Sequence, residues 1–255
     1  MSHLTLKNFR IQRWESFPLI EHTSLRALKI CNTCSDALLD SLSLPSLEEI
    51  FVDDVPSSTL TLTNLIIRSG CHLKRLTIMM DADSEMPDHT ENELIHLLEH
   101  APSLVALMLE TPPVTDTFFR RLGPALHDSA YNDTNAQEFL PLLHTLIIRV
   151  FINFEWNSVT HMFFPFAGSP DSARRALKVF ELKIFGDGDS ASRRDFKSFV
   201  IDDDTMIDDD TMKRLLAVRD GGVYASILDY RDREGLVANN KKNDVHSKSI
   251  LLGAG

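Results

Sequence analysis

Residues 44–52 read LPSLEEIFV, and this stretch contains a pattern that returns along the chain. Leu47, Ile50 and Val52 form the pattern: an apolar residue, two variable residues, an apolar residue, one variable residue and a final apolar residue. It recurs at Leu25-Leu28-Ile30, Leu73-Leu76-Ile78, Leu104-Leu107-Leu109, Leu143-Leu146-Ile148 and Leu177-Phe180-Leu182. The first members of successive units are 22, 26, 31, 39 and 34 residues apart. Self-similarity at such periods is typical of repeat proteins.

The spacing inside each unit predicts a short strand, because its last two apolar residues are two positions apart and share one face. Candidate helices between or after the units are Asn64–Ser69, Thr90–His100, Thr115–Leu126, Trp156–Phe166 and Met206–Arg219. A last strand is expected at Val223, Ala225 and Ile227. Thr90 and Glu93 are spaced as a capping box.

This alternation predicts an α/β fold, an irregular leucine-rich-repeat solenoid with a parallel sheet on the concave side and helices on the convex side. The repeat domain should cover residues 1–229. Residues 230–255 have few apolar residues and no period, so a disordered tail is expected there. The alternative is an ordinary α/β sheet in which the repeated pattern is coincidental.

Several segments resemble the repeat region of the F-box-like proteins of mushroom-forming fungi. They include SLRALKI (24–30), LPSLEEIFV (44–52), ENELIHLLEHAPSLVALML (91–109) and, most specifically, RSGCHLKRL (68–76) and LLAVRDGG (215–222). The resemblance extends from about Leu4 to Ile227. It implies a leucine-rich-repeat fold and a role as the substrate receptor of an SCF-type ubiquitin ligase.

The chain departs from that group at its N-terminus. Members usually begin with an F-box, a short helical module that binds the Skp adaptor, and no such phrase precedes the repeats here. The resemblance therefore implies a Skp-type adaptor as a partner only if an F-box lies upstream. Leu4 and Leu6 already fit the repeat, so we expect the chain to open inside one. It is then a fragment, a truncated product or a paralogue without its F-box.

Composition argues against several other partners. The 255 residues carry a formal net charge of −11 and no Lys/Arg run longer than two, which disfavours nucleic acid and anionic membranes. The apolar stretch Phe139–Ile152 is too short to span a bilayer, and the first residues lack the apolar core of a signal peptide. Three cysteines do not make a disulfide framework, so a cytoplasmic or nuclear location is expected.

The motifs that could carry chemistry are weak. Cys31 and Cys34 form a lone C-x-x-C, whereas a zinc site needs a second pair. His96 and His100 are four apart and could chelate a metal from one helix face, but ordinary surface histidines are favoured. IDDDTM occurs twice, at 201–206 and 207–212, and suits a solvated acidic segment. We therefore expect no enzyme, no cofactor and no metal. A metal-dependent enzyme stays an alternative.

The variable positions within the strands should form the functional surface. They point away from the core, and parallel stacking aligns them in columns on the concave side. Phe51, Met79, Met108 and Ile147 are then expected to form an exposed apolar stripe flanked by charges, as at an interface. The candidate protein-binding residues are Phe51, Arg75, Met79, Met108, Glu110, Ile147 and Arg149. A protein–protein interaction module with an unidentified protein partner is thus favoured over a generic repeat scaffold or a truncated, non-functional product.

Overall fold

The computed structural model describes residues 2–7, 17–31, 36–53, 59–80, 91–110, 114–123, 138–151, 153–163, 177–185, 213–214, 223–229 and 249–252. The chain divides into two compact units. The first comprises Met1–Pro113 and Ala125–His144, and the second comprises Val114–Pro124 and Thr145–Gly255.

A parallel sheet forms the centre of the first unit. Its strands, in spatial order, are β1 (His3–Lys7), β3 (Ala27–Cys31), β5 (Glu49–Asp53), β6 (Arg75–Met79) and β7 (Ala106–Glu110). A separate parallel pair consists of β2 (Ile20–Glu21) and β4 (Leu42–Ser43). The helices are α1 (Asp36–Asp40), α2 (Thr59–Ser69) and α3 (Glu91–Glu99). Successive helices are neighbours, with α1 beside α2 and α2 beside α3, as right-handed crossovers between parallel strands in chain order would place them.

The repeated apolar pattern forms the buried face of the sheet. Equivalent residues of neighbouring strands are partners, so that one row contains Leu28, Ile50, Leu76 and Leu107. Each of these residues is at most 2% exposed. Leu4 pairs with Leu28, as expected from the pattern at the N-terminus. Four of the six patterned strands are therefore confirmed as parallel strands in chain order in this unit, and the other two lie in the second unit.

The phrases before the strands form reverse turns. The N–H of Leu47 donates to the carbonyl oxygen of Leu44 at 3.0 Å, and Leu104 donates to Ala101 at 3.1 Å. Pro45 and Pro102 occupy the second position of these turns, where the fixed φ of proline suits a type I or II turn. The recurrence of LPSL and APSL thus has a backbone cause.

Backbone hydrogen bonds join each turn to the repeat before it. The carbonyl oxygen of Glu48 accepts the N–H groups of both Lys74 (2.8 Å) and Arg75 (3.0 Å), and the carbonyl of Lys74 accepts those of Val105 and Ala106 in the same way. The hydroxyl of Ser103 also donates to the carbonyl oxygen of Leu73, at 2.9 Å. These bonds fix the register at the start of the strands β6 and β7.

Helix α2 is longer than the sequence pattern predicted. It begins at Thr59 rather than Asn64, with buried threonines in its first turns, and ends before Gly70, which has φ +54°. Arg68 connects it to the preceding repeat by donating from Nε to the carbonyl of Leu42 at 2.8 Å and from Nη2 to that of Leu39 at 2.6 Å. Helix α3 falls within the predicted Thr90–His100, but Thr90 and its capping box lie outside the described residues.

The second unit also has a mostly parallel sheet. Its strand order is β8 (Thr145–Phe151), β9 (Val179–Phe185), β10 (Tyr224–Asp229) and β11 (Ser249–Leu252). The first three strands are parallel, with Leu146 opposite Phe180 and Phe180 opposite Ala225. β11 is antiparallel to β10. Four residues of the segment expected to be disordered are thus described as a strand. The rest of that segment, and the predicted helix Met206–Arg219 apart from residues 213–214, lie outside the described residues.

Helices α4 (Asp116–Leu122) and α5 (Trp156–His161) belong to the same unit. The hydroxyl of Thr115 caps α4 by accepting the N–H of Thr117, and the helix ends at Gly123, short of the expected Leu126. The Asp116 carboxylate accepts the N–H of Glu155 at 2.8 Å, which ties the two helices together. α5 ends five residues before the expected Phe166. A chain of edge-to-face ring contacts runs through Phe118, Phe119, Phe154 and Trp156.

We expect Ile50→Ala to lower the free energy of unfolding by about 2–5 kcal/mol, because the substitution leaves a cavity in the buried row. Urea denaturation followed by circular dichroism measures the change. The control Thr77→Ala alters the opposite, half-exposed face and should cost less than about 1 kcal/mol. Equal losses in the two variants would contradict the assignment of buried and open faces.

Candidate protein-binding surface

The half-exposed face of the first unit's sheet consists of three columns set by the strand register. The central column is Lys29, Phe51, Thr77 and Met108. The column at the amino ends of the strands is Ala27, Glu49, Arg75 and Ala106, and that at the carboxyl ends is Cys31, Asp53, Met79 and Glu110. These columns agree with the sequence prediction, and we call them together the open sheet face.

The apolar side chains of the open sheet face are less exposed than the sequence suggested. Phe51, Met79 and Met108 are each half-buried. Lys29 places its Nζ 4.2 Å from the centroid of the Phe51 ring, in the range of a cation–π contact. Neighbouring strands lie only ~4.8 Å apart, so adjacent side chains in a column cover each other. The expected exposed stripe is therefore a partly covered apolar strip.

Charges at the amino ends of the strands are paired within the chain. Arg75 donates from Nη2 to the carboxylate of Glu49, its partner in the register. Glu48, the residue before Glu49, lies 3.2 Å from the Nζ of Lys74 and 3.7 Å from the Nη1 of Arg26. The hydrogen bond from Arg75 lowers the pKa of Glu49 below its ordinary value, against a smaller opposing effect of burial. Arg75, a predicted contact residue, thus already has a partner.

The carboxyl ends of the strands have a different character. Asp53, Met79 and Glu110 are half-buried, whereas Cys31 is only 6% exposed. The N–H of Met80 donates to the carbonyl oxygen of Glu110 at 3.0 Å, which continues the backbone pairing just beyond β6. This edge combines a thioether with two carboxylates, while the opposite edge contains ion pairs.

Ile147 and Arg149 lie on the corresponding face of the second unit. Ile147 is opposite Glu181, and Arg149 is opposite Lys183. Oε1 of Glu181 forms an ion pair with the Nζ of Lys183 at 2.8 Å. The same oxygen lies 4.0 Å from the Nη2 of Arg149. The neighbour of Ile147 on β9 is therefore a charged side chain, and Ile147 itself is half-buried.

Helix α2 presents exposed apolar residues that the sequence analysis missed. Leu60 and Ile67 are each 51% exposed. They are seven residues apart, which places them on one side of the helix. The helical period of the segment contained this signal, but the threonines at Thr59, Thr61 and Thr63 obscured the start of the helix.

The weak chemical motifs gain little support. Burial raises the pKa of the Cys71 thiol, so the nucleophilic thiolate is disfavoured there. Cys34 and both IDDDTM copies lie outside the described residues. Across the described ranges, no group of three or more His, Cys, Asp or Glu side chains is placed to hold a metal ion.

No protein-family model, curated protein or solved structure matches the chain. The function is therefore inferred from the geometry of its residues.

Among the helices of the described ranges, none combines the length and the apolar composition that crossing a membrane requires.

We expect Arg75→Gln to raise the pKa of Glu49 toward its ordinary value of 4.5, because the guanidinium that stabilises the carboxylate is removed. In the wild type, the lowered pKa contributes stability above that ordinary value, and the contribution is lost as pH falls through the lowered pKa. The pair is exposed, so its contribution should lie within about 0–1 kcal/mol. An NMR titration of the Glu49 carboxylate measures the shift.

The matched control for this titration is Lys74→Gln, which removes the cation beside Glu48 and leaves the Glu49–Arg75 pair in place. The Glu49 pKa should stay low in that variant. An unchanged Glu49 pKa in Arg75→Gln would refute the assigned cause.

Proposed function

We propose that this chain is a protein-binding module, an irregular leucine-rich-repeat solenoid whose concave surface is the open sheet face. The repeated turn and strand, the strict chain order of the strands in the first unit and the shared register support the solenoid. Each repeat buries its leucines against its neighbours, so the outward positions are left for recognition.

The observation that carries this proposal is the composition of the open sheet face. Phe51, Met79 and Met108 lie on adjacent strands of one sheet and remain partly accessible. Aromatic and methionine side chains are enriched at protein interfaces, where a partner excludes the remaining water from them. Asp53 and Glu110 border the strip at one edge and supply a polar rim.

We further propose that the bound protein is a substrate presented for ubiquitination, as the resemblance to F-box-like proteins implies. In such an assembly the repeats bind the substrate, and the F-box binds the adaptor. A Skp-type adaptor is then a partner of this chain only through an F-box upstream of Met1. The cytoplasm or nucleus is the compartment where this machinery operates.

The double variant Phe51→Glu/Met108→Glu tests the surface. We expect it to lose partners that the wild type retains in affinity purification, because two carboxylates replace the apolar centre of the interface. Calorimetry with a purified partner should show binding weakened by about 30-fold or more, equivalent to a hot-spot loss of about 2 kcal/mol. Ile147→Glu, measured separately, tests the second unit.

Ile67→Glu is the matched control, since it introduces the same charge at an exposed apolar residue of α2. It should retain the partners. Urea unfolding of all variants separates a lost contact from a lost fold. A folded double variant that still binds every wild-type partner would show that the open sheet face is not the binding surface.

A further inference from the structure

Two histidines at the C-terminal end of α3, one in its last turn and one just after it, form a close pair on an accessible surface. His96 and His100 are one turn apart, and their ring centroids are separated by 4.6 Å with the ring planes at 80°. The side chain of His96 is 52% exposed, and His100 is half-buried. An ion in solution can therefore reach the pair.

The surroundings of both rings favour one tautomer. Nδ1 of His100 lies 2.9 Å from the carbonyl oxygen of His96, and a carbonyl only accepts. In the neutral ring Nδ1 must therefore carry the hydrogen, and Nε2 carries the lone pair. Nδ1 of His96 faces the Glu99 carboxylate at 3.8 Å, which favours the same arrangement. Metal-binding histidines typically use one nitrogen for such an acceptor and the other for the metal.

The ring separation also fits a shared ion. A Zn²⁺ ion lies about 2.0–2.1 Å from a histidine nitrogen. With a ligand–metal–ligand angle between about 90° and 110°, two rings bound to one such ion have centroids about 4.5–5.2 Å apart. The observed 4.6 Å lies within that range.

We propose that His96 and His100 form a binding site for a borderline divalent ion of the zinc type, with water in the other coordination positions. Imidazole nitrogen suits Zn²⁺, whereas Mg²⁺ and Ca²⁺ prefer oxygen ligands. The described residues add no group of three ligands around the pair, so the site is open and weaker than a closed structural zinc site. A bound ion joins the last turn of α3 to the residue that follows it and stabilises that end of the helix.

Isothermal titration of the full chain with Zn²⁺ alone tests this proposal. We expect one saturable site that is weakened at least tenfold by either His96→Ala or His100→Ala. Affinity should fall as pH is lowered, because protons compete for the imidazole nitrogens. Zn²⁺ should also raise the Tm of the wild type and leave that of the two variants unchanged.

His72→Ala is the control, because His72 is exposed and lies in the segment between α2 and β6. Its Zn²⁺ affinity should equal that of the wild type. Mg²⁺ should not compete, which distinguishes the histidine pair from a site built of carboxylates. Failure of the wild type to bind Zn²⁺ saturably, or unchanged binding in either His96→Ala or His100→Ala, would overturn the proposal. Circular dichroism confirms that the variants remain folded.

Discussion

The parallel register of β3, β5, β6 and β7 is the constraint on which the rest of the first unit depends. Each strand offers two aliphatic side chains to the buried face, and these stack on the equivalent pair of the next strand. A shift of one residue would place these leucines and isoleucines in water and bury Lys29, Glu49 and Arg75 instead. The paired acceptance of two N–H groups by Glu48 and by Lys74 fixes the same register through the backbone.

The strands could be predicted from the sequence because apolar residues two positions apart share a face in an extended chain and not in a helix. The sequence predicted less about helices and tails. The start of α2 was missed because threonines disfavour helix interiors, yet Thr63 donates its hydroxyl to the carbonyl of Thr59 within the helix. The antiparallel β11 was missed because four residues in a polar tail carry no period. Tertiary pairing determines such elements, and no local pattern reveals it.

The sequence predicted which residues share the candidate surface, but it did not predict how exposed their side chains are. Alternation along a strand determines which residues share a face, so the register yielded the columns of Phe51 and Met79. Accessibility depends on side-chain reach across strands, as where the Lys29 amine covers the Phe51 ring. The pairing of Arg75 with Glu49 likewise follows from the register, but it removes a cation that sequence analysis had assigned to a partner.

Within the chain, the two faces of the sheet differ in how much chemical variety they tolerate. The buried row contains only leucine and isoleucine at its first position, because each side chain must fill the same space between a strand and the layer beneath it. The central outward column, in contrast, contains a lysine, an aromatic residue, a threonine and a methionine on four successive strands. These positions are half-buried or exposed, so packing restricts their identities less than it restricts those of the buried row. A sheet with a uniform interior and a varied exterior can change its outward side chains without changing its fold, which supports the proposal that recognition lies on the open sheet face.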